Sequence, residues 1–362
     1  MSGTSADGID AVIAEFDGTR FVGLGATMHR DYPESLRSAL LGVSVGLEPI
    51  TLSQYAELDH AVAEEYAQVT LQLLESANIA TTEIAAIGSH GQTIFHDGAR
   101  KLTLQIGDPS FIAARTGCTV IADFRRKDLA LGGQGAPLVP AFHHALFADS
   151  TRPRAVVNIG GIANITLLPD TAPNKIRGFD TGPGNGLMDE WIAHHSGARY
   201  DRNGEFAASG AIVPELLTQL LADPYFTKPA PKSSGRDYFR LNWVRRHAPA
   251  LANYSAADIQ RTLCELTASS IVTSILAAMS APADVLVCGG GARNVFLMHR
   301  VADLLGRECT TKPTDDYGLN AEWVEAAAFA WLAMRTLNSL PGNISTVTGA
   351  QRSAVLGGIY PR

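Results

Sequence analysis

The sequence predicts an α/β protein of two lobes, each built on a mixed β-sheet flanked by helices. Three observations predict it. Glycine turns joined to apolar strands stand about 155 residues apart, at Gly3 and at Gly160-Gly161. The last third runs strand, triple-glycine loop, helix. A chain of 362 residues exceeds the usual size of one hydrophobic core, and a 46% hydrophobic content is ample for two.

The first element is Ser2-Gly3-Thr4-Ser5-Ala6-Asp7-Gly8-Ile9-Asp10, running into an apolar strand over 11–16. Glycines let backbone approach an anion, hydroxyls and N–H groups bind phosphate oxygens, and paired carboxylates suit a hydrated Mg²⁺. Residues 53–76 place Leu58, Val62, Tyr66, Val69 and Leu73 at helical spacing. A short apolar run at 84–87 ends in Gly88-Ser89-His90-Gly91-Gln92-Thr93. Strands are expected over 102–106 and 120–124, the latter carrying Asp123, Arg125 and Arg126 at its end. Gly132-Gly133-Gln134-Gly135-Ala136-Pro137 is too rich in glycine for regular structure.

A polar, proline-containing stretch at 150–153 marks the lobe boundary, so 1–150 with 335–362 forms the first lobe and 151–334 the second. Apolar runs at 155–159 and 162–168 are separated only by Gly160-Gly161, a hairpin signal. A strand over 176–179 is expected to stop at Asp180, before the turn Thr181-Gly182-Pro183-Gly184-Asn185 and a helix to about residue 195. A long helix over 258–279, a strand over 283–287, the loop Cys288-Gly289-Gly290-Gly291-Ala292-Arg293-Asn294 and a helix over 295–305 follow. A last helix is read over 321–337, stopped by Pro341-Gly342.

Composition narrows the function. The net charge of -7, with no Lys/Arg run, argues against nucleic-acid or anionic-membrane binding. No apolar run reaches the length of a membrane span and no leader pattern opens the chain, so a cytoplasmic protein is expected. Four separated cysteines read as reduced, partly buried thiols. The pairs His143-His144 and His194-His195 point about 100° apart on a helix and make no chelating face.

The glycine loops distinguish two nucleotide folds. A dinucleotide fingerprint needs strand, glycine turn, then helix. Gly289, Gly291 and Asn294 hold its three positions with the third glycine missing, and the first two turns lead into strands. A methyltransferase-type cofactor loop at 285–291 leaves both hairpin turns unexplained. Two phosphate hairpins followed by a strand–triple-glycine–helix loop instead describe the actin/Hsp70/hexokinase-like ATPase fold.

GTSADGID at 3–10, GSHGQTIFH at 88–96, QIGDP at 105–109, ADFRRKD at 122–128, GGQGAPLVP at 132–140, NIGGIANIT at 158–166, GFDTGPGN at 178–185 and CGGGARN at 288–294 together resemble the anhydro-N-acetylmuramic acid kinase family, in order along the whole chain. The resemblance implies an ATP-dependent enzyme that opens 1,6-anhydro-N-acetylmuramic acid with water at C1 while phosphorylating O6. It places that reaction in cell-wall recycling and in a homodimer that closes around ATP. Asp180 is expected to be the general base, with Asp108, Asp128 and Asp189 as competitors and helix capping as its ordinary role. Gly3, Thr4, Ser5, Ala6, Asp7, Gly8, Ile9 and Asp10 are expected around the phosphates of ATP, and Asp7 and Asp10 around Mg²⁺ through water. Gly160 and Gly161 should meet the phosphates from the other lobe, and Gly289, Gly290 and Gly291 the adenosine. His90, Gly91, Gln92, Asp108, Arg125 and Glu325 are the expected sugar-binding residues, with Arg126 and Lys127 further candidates for its carboxylate. Glu322 and Glu325 are read one turn apart on one helix face. Other sugar kinases and non-kinase ATPases of the same fold are the alternatives. Family members carry a short apolar strand before the first turn, where here only Met1 and Ser2 precede Gly3, so the expectation is either a start placed too far downstream or a first lobe without that inner strand.

Overall fold

The computed structural model describes residues 1–3, 6–44, 49–230, 232–234, 238–279 and 282–362. They form two compact units, residues 1–142 with 323–362, and residues 143–322. The sequence boundaries lie at 150 and 334.

In the first unit, β1 (Gly8–Asp17) and β2 (Arg20–Asp31) form an antiparallel hairpin. Met1 lies along β1, its amine donating to the Asp10 carbonyl and its own carbonyl accepting from the Asp10 N–H, both at 2.8 Å. β3 (Ile87–Gly88) runs parallel to β6 (Val120–Ala122), which the C-terminal strand Gly358–Tyr360 joins in antiparallel fashion. β4 (Gln92–Asp97) and β5 (Leu102–Ile106) make a second hairpin. Helices α1 (Glu34–Ser44), α2 (Leu52–Ala77) and α3 (Pro109–Thr116) and the helix Val324–Leu337 supply the apolar faces. α2 starts at a Thr51/Gln54 capping box and stops where Asn78 turns left-handed at φ 55°, so the helical period holds from end to end. Its Val62, Tyr66, Val69 and Leu73 are buried with Ile9, Ile106 and Val120 in the core of this unit.

The second unit holds one five-stranded sheet of order β11-β10-β7-β8-β9, from β7 (Arg154–Ile159), β8 (Ile162–Leu168), β9 (Arg177–Pro183), β10 (Asp284–Cys288) and β11 (Thr310–Pro313). β8 alone runs antiparallel to the rest, because the Gly160-Gly161 link is too short for anything but a hairpin. Central β10 is buried along its length and β7 at Ala155, Val156, Val157 and Ile159, and the apolar cores of both suit strands covered on both faces. This mixed sheet, with α4 (Gly186–Ser196), α5 (Ala256–Ala278) and α6 (Val295–Leu305), matches the actin/Hsp70/hexokinase-like lobe expected from the turns. α5 packs on β8 and β9, and its buried Leu263, Leu266, Ile271 and Ile275 join Val157, Ile165 and Val287 in the core.

Several boundaries differ from the sequence reading. β1 starts at Gly8 rather than 11, so Gly8, Ile9 and Asp10 of the expected phosphate turn already lie in the strand. β6 ends at Ala122, because Asp123 adopts a left-handed φ of 61° that breaks the strand. β9 continues through Pro183, so Asp180 lies within the strand opposite Asn164 rather than at its end. The last helix begins at Val324 and not at 321: the Glu322 N–H bonds the Asn320 side chain in a turn, so Glu322 and Glu325 do not share a helix face. Among the described residues, no helix is long and apolar enough to cross a membrane, and the four cysteines are unbridged.

Candidate active site

In the first unit the opening turn is braced from beneath. Thr4 and Ser5 lie outside the described residues. The Ser2 hydroxyl donates to Gln92 Oε1 at 2.6 Å, and Gln92 Nε2 donates to the Gly3 carbonyl at 3.1 Å. Gln92 is fully buried, so its amide is spent on this turn and not offered to a sugar. Ala6, at φ 48°, and Ile9 turn their side chains into the core, which leaves only their backbone for a ligand. Gly8 is required by space: a Cβ there meets the Arg30 carbonyl at 2.4 Å. The carboxylates flanking it point to different cations. Asp7 accepts from Arg37 Nη2 at 3.1 Å, and Asp10 meets His29 Nδ1 at 2.7 Å. Burial works against a charged His29, but the bonds to Asp10 and Asp31 outweigh it and its pKa is raised. The two carboxylates are hard oxygen donors of the kind Mg²⁺ takes, and a metal there would compete with Arg37 and His29.

His90, Gly91 and Asp108 line one cavity of about 180 Å³ together with Tyr55, Asp59 and Arg126. Asp108 caps α3, accepting from the Ser110 N–H at 2.8 Å. Asp59 holds the neighbouring loop through the Gly107 N–H at 2.6 Å. Gly91, at φ 70°, lets β4 pass the Ile106 carbonyl, which a Cβ would meet at 2.7 Å. Arg125 donates to the Gly135 carbonyl and to His90 Nε2, both at 2.8 Å. Arginine only donates, so Nε2 is the acceptor and the ring proton sits on Nδ1. Burial and then the Arg125 charge hold His90 well below the usual imidazole range, so it is neutral. Burial likewise lowers Arg125 to about 10, while Glu325 and Asp128 favour its charge. Asp128 itself is wholly buried and accepts from the Gly135 N–H (2.8 Å), Asn343 Nδ2 (2.5 Å) and Thr348 Oγ1 (2.7 Å), which gives it a structural task on the glycine loop.

In the second unit, the Gly160-Gly161 turn is stacked on the loop that follows β9. The N–H groups of Gly184 and Gly186 donate to Gly161 O at 3.0 and 3.1 Å, and that of Asn185 to Gly160 O at 2.7 Å. A Cβ at Gly184 would lie 2.2 Å from Gly160 O, so this glycine serves close backbone packing. Asn185 precedes α4, which removes helix capping as the reason for Asp180. Gly289, at φ 77°, and Gly291 press on β7, where a Cβ would meet Asn158 Oδ1 and the Ile159 side chain at 2.3 Å each. Gly290 is exposed.

Asp180 is held on three sides. Its N–H donates to the Lys232 carbonyl at 3.0 Å, its carbonyl accepts from the Tyr225 hydroxyl at 3.0 Å, and its Oδ2 accepts from the Ser234 N–H at 2.9 Å. Burial raises its pKa to about 6, against the lowering effect of that N–H bond and of the Lys232 charge. A carboxylate ionised at neutral pH, yet basic enough to take a proton, is what a general base requires. Tyr225, Lys232 and Ser234 were not legible as site residues. Lys232 and Ser234 come from a proline- and serine-rich run at 228–234 whose composition signals only a loop, and Tyr225 from the short helix Pro224–Thr227 just before it. A larger hollow of about 490 Å³ between Glu190, His194, Arg240 and Arg245 contains none of the expected residues.

Solved structures show distant likenesses. Component A of the (R)-2-hydroxyglutaryl-CoA dehydratase of Acidaminococcus fermentans is 12% identical, over 91% of this chain and 99% of that one, with a TM-score of 0.46. A ROK family glucokinase from Streptomyces griseus, in complex with glucose and AMPPNP, is 13% identical over 88% and 98%, with a TM-score of 0.35. The family model of anhydro-N-acetylmuramic acid kinase, by contrast, matches residues 1–362. That match spans both glycine turns, the braced Asp180 and the triple-glycine loop, and on it the chain belongs to the anhydro-N-acetylmuramic acid kinase family, a family of phosphotransferases.

Proposed function

We propose that the protein uses ATP and water to convert 1,6-anhydro-N-acetylmuramic acid into N-acetylmuramate 6-phosphate and ADP, within recycling of cell-wall sugars. The observation that carries the chemical step is Asp180, whose carboxyl is raised to about 6 by burial and accepts from the Ser234 N–H, while its backbone is held by Lys232 and Tyr225. Asp180 takes the proton of a water that attacks C1 on the face opposite the bridge, as the base of an inverting glycosidase does. The C1–O6 bond breaks as O6 bonds to the γ-phosphorus, so the charge developing on O6 passes into the phosphoryl group, and ADP leaves. The opening turn, through Gly3 and the backbone of residues 6–10, binds phosphates. Gly160 and Gly161 serve the phosphates and Gly289 to Gly291 the adenosine.

Asp7 and Asp10 would hold Mg²⁺ through water, and the ion would neutralise charge on the transferring phosphates. Neutral His90 and cationic Arg125 supply a hydrogen-bond donor and a positive charge for the sugar and its carboxylate. Asp108 and Arg126, in the same cavity, add a carboxylate and a second cation.

The test is ADP release with and without the anhydro sugar. Asp180→Asn is expected to lower sugar-dependent ADP release by at least about a hundred-fold, the usual worth of a general base, with nucleotide affinity retained. ADP release that ignores the sugar, or an equal loss of nucleotide affinity in the variant, overturns the reading.

A further inference from the structure

Asp180 does not stand alone: the segment that touches it is itself stapled. Lys232 Nζ donates to the carbonyls of Tyr225 and Phe226 at 3.2 and 3.3 Å, which ties the 232–234 segment to the short helix Pro224–Thr227. The same ammonium lies 4.8 Å from the centre of the Tyr225 ring. Tyr225 is anchored in turn, since Asp223 caps that helix through the Tyr225 N–H at 2.8 Å and accepts from Trp243 Nε1 and Tyr238. From this platform come all three hydrogen bonds to Asp180: the Tyr225 hydroxyl, the Lys232 carbonyl and the Ser234 N–H.

We infer that Lys232 is a positioning residue for the base. Its ammonium clamps the 232–234 segment so that the Ser234 N–H meets Asp180 Oδ2, and it brings a positive charge to the segment that holds that carboxylate. The inference rests on the reading of Asp180 as the base. Among the described residues, Lys232 is the charged group whose field reaches Asp180, Ser234 and Tyr225 reach it by hydrogen bonds, and Lys228 acts on Lys232. Burial keeps the Tyr225 phenol protonated, so it remains a donor. The same geometry explains why a lysine suits position 232: one ammonium offers three donors, two of which reach the Tyr225 and Phe226 carbonyls, and it carries a positive charge as well.

Two roles, clamp and charge, separate by substitution. Lys232→Gln keeps two N–H donors for the carbonyls and removes the charge. It is expected to move the acidic limb of the pH–turnover profile up by about one unit, which lowers turnover about five-fold at pH 6 and hardly at pH 8. Lys232→Met removes the donors as well, and is expected to show the same shift with a further drop in turnover at every pH. Lys232→Arg restores the limb to its wild-type position. Acidic limbs of the Gln and Met variants that overlay the wild type overturn the inference, as does an Arg variant displaced as far as Gln. Where Lys232→Met does not fold, the Gln and Arg pair decides. Asp180→Asn is run beside them. Full turnover in that variant overturns the reading of the base, whereas lost turnover with unmoved limbs at position 232 overturns only the role of Lys232.

Discussion

Asp180 is a residue whose chemistry and stability pull apart. In the unfolded chain its pKa lies near the ordinary 3.8, and in the folded protein burial raises it to about 6. A carboxyl raised on folding binds more protons in the native state, so it destabilises the fold wherever both states are ionised. That penalty is complete above about pH 6 and gone below the unfolded value. Asp180→Asn keeps an oxygen acceptor for the Ser234 N–H and removes the charge. The substitution is therefore expected to stabilise the protein by roughly 2 kcal/mol at pH 8 and by nothing at pH 3.5, in urea unfolding at the two pH values. Equal stability of variant and wild type at pH 8 contradicts the buried charge. The sequence marks Asp180 as a candidate through the glycine turn beside it. It does not show the raised pKa, which comes from burial, nor the hydrogen bonds that Tyr225, Lys232 and Ser234 supply from some fifty residues away.

The elements that carry the site depend on backbone contacts closer than any side chain permits. Gly184 and the Gly160-Gly161 turn form one packed unit, and Gly184→Ala places a methyl carbon against the Gly160 carbonyl. A loss of about 2 kcal/mol is expected, with weakened nucleotide binding, while Gly23→Ala, where nothing lies within 4 Å, is expected to be neutral. Urea midpoints for the two variants check the contrast. In the other unit, Asp128→Ala strands three buried donors and is expected to cost about 3 kcal/mol or more. β7, β8, β10 and α2 were legible because their apolar periods are local, whereas β2, β4 and β11 were not read as strands. The inner task of Gln92 was not. A glutamine in a polar loop reads as a ligand contact, and only the fold brings the opening turn, about ninety residues away, down onto its amide. Asp128 misleads in the same way, since its partners Asn343 and Thr348 lie more than two hundred residues on.

At the scale of the whole molecule, the family match covers the residues of both units. A mixed sheet in the second unit was foreseeable, because a two-residue glycine link and a strand–glycine–helix run each specify a local connection, but its fifth strand, β11, was not. A non-hydrolysable ATP analogue at a hundred times its Kd is expected to stabilise the protein by about 2.7 kcal/mol, visible as a rise in Tm of several degrees. An unchanged Tm contradicts the nucleotide site. The central claim is that water opens the sugar while ATP phosphorylates it, and the direct measurement is turnover in ¹⁸O-labelled water, read by mass spectrometry before the anomeric oxygen exchanges. The account predicts one ¹⁸O at C1 of each N-acetylmuramate 6-phosphate, none in its phosphoryl group, and one ADP per sugar. Label appearing in inorganic phosphate, with the anhydro bridge intact, would contradict it.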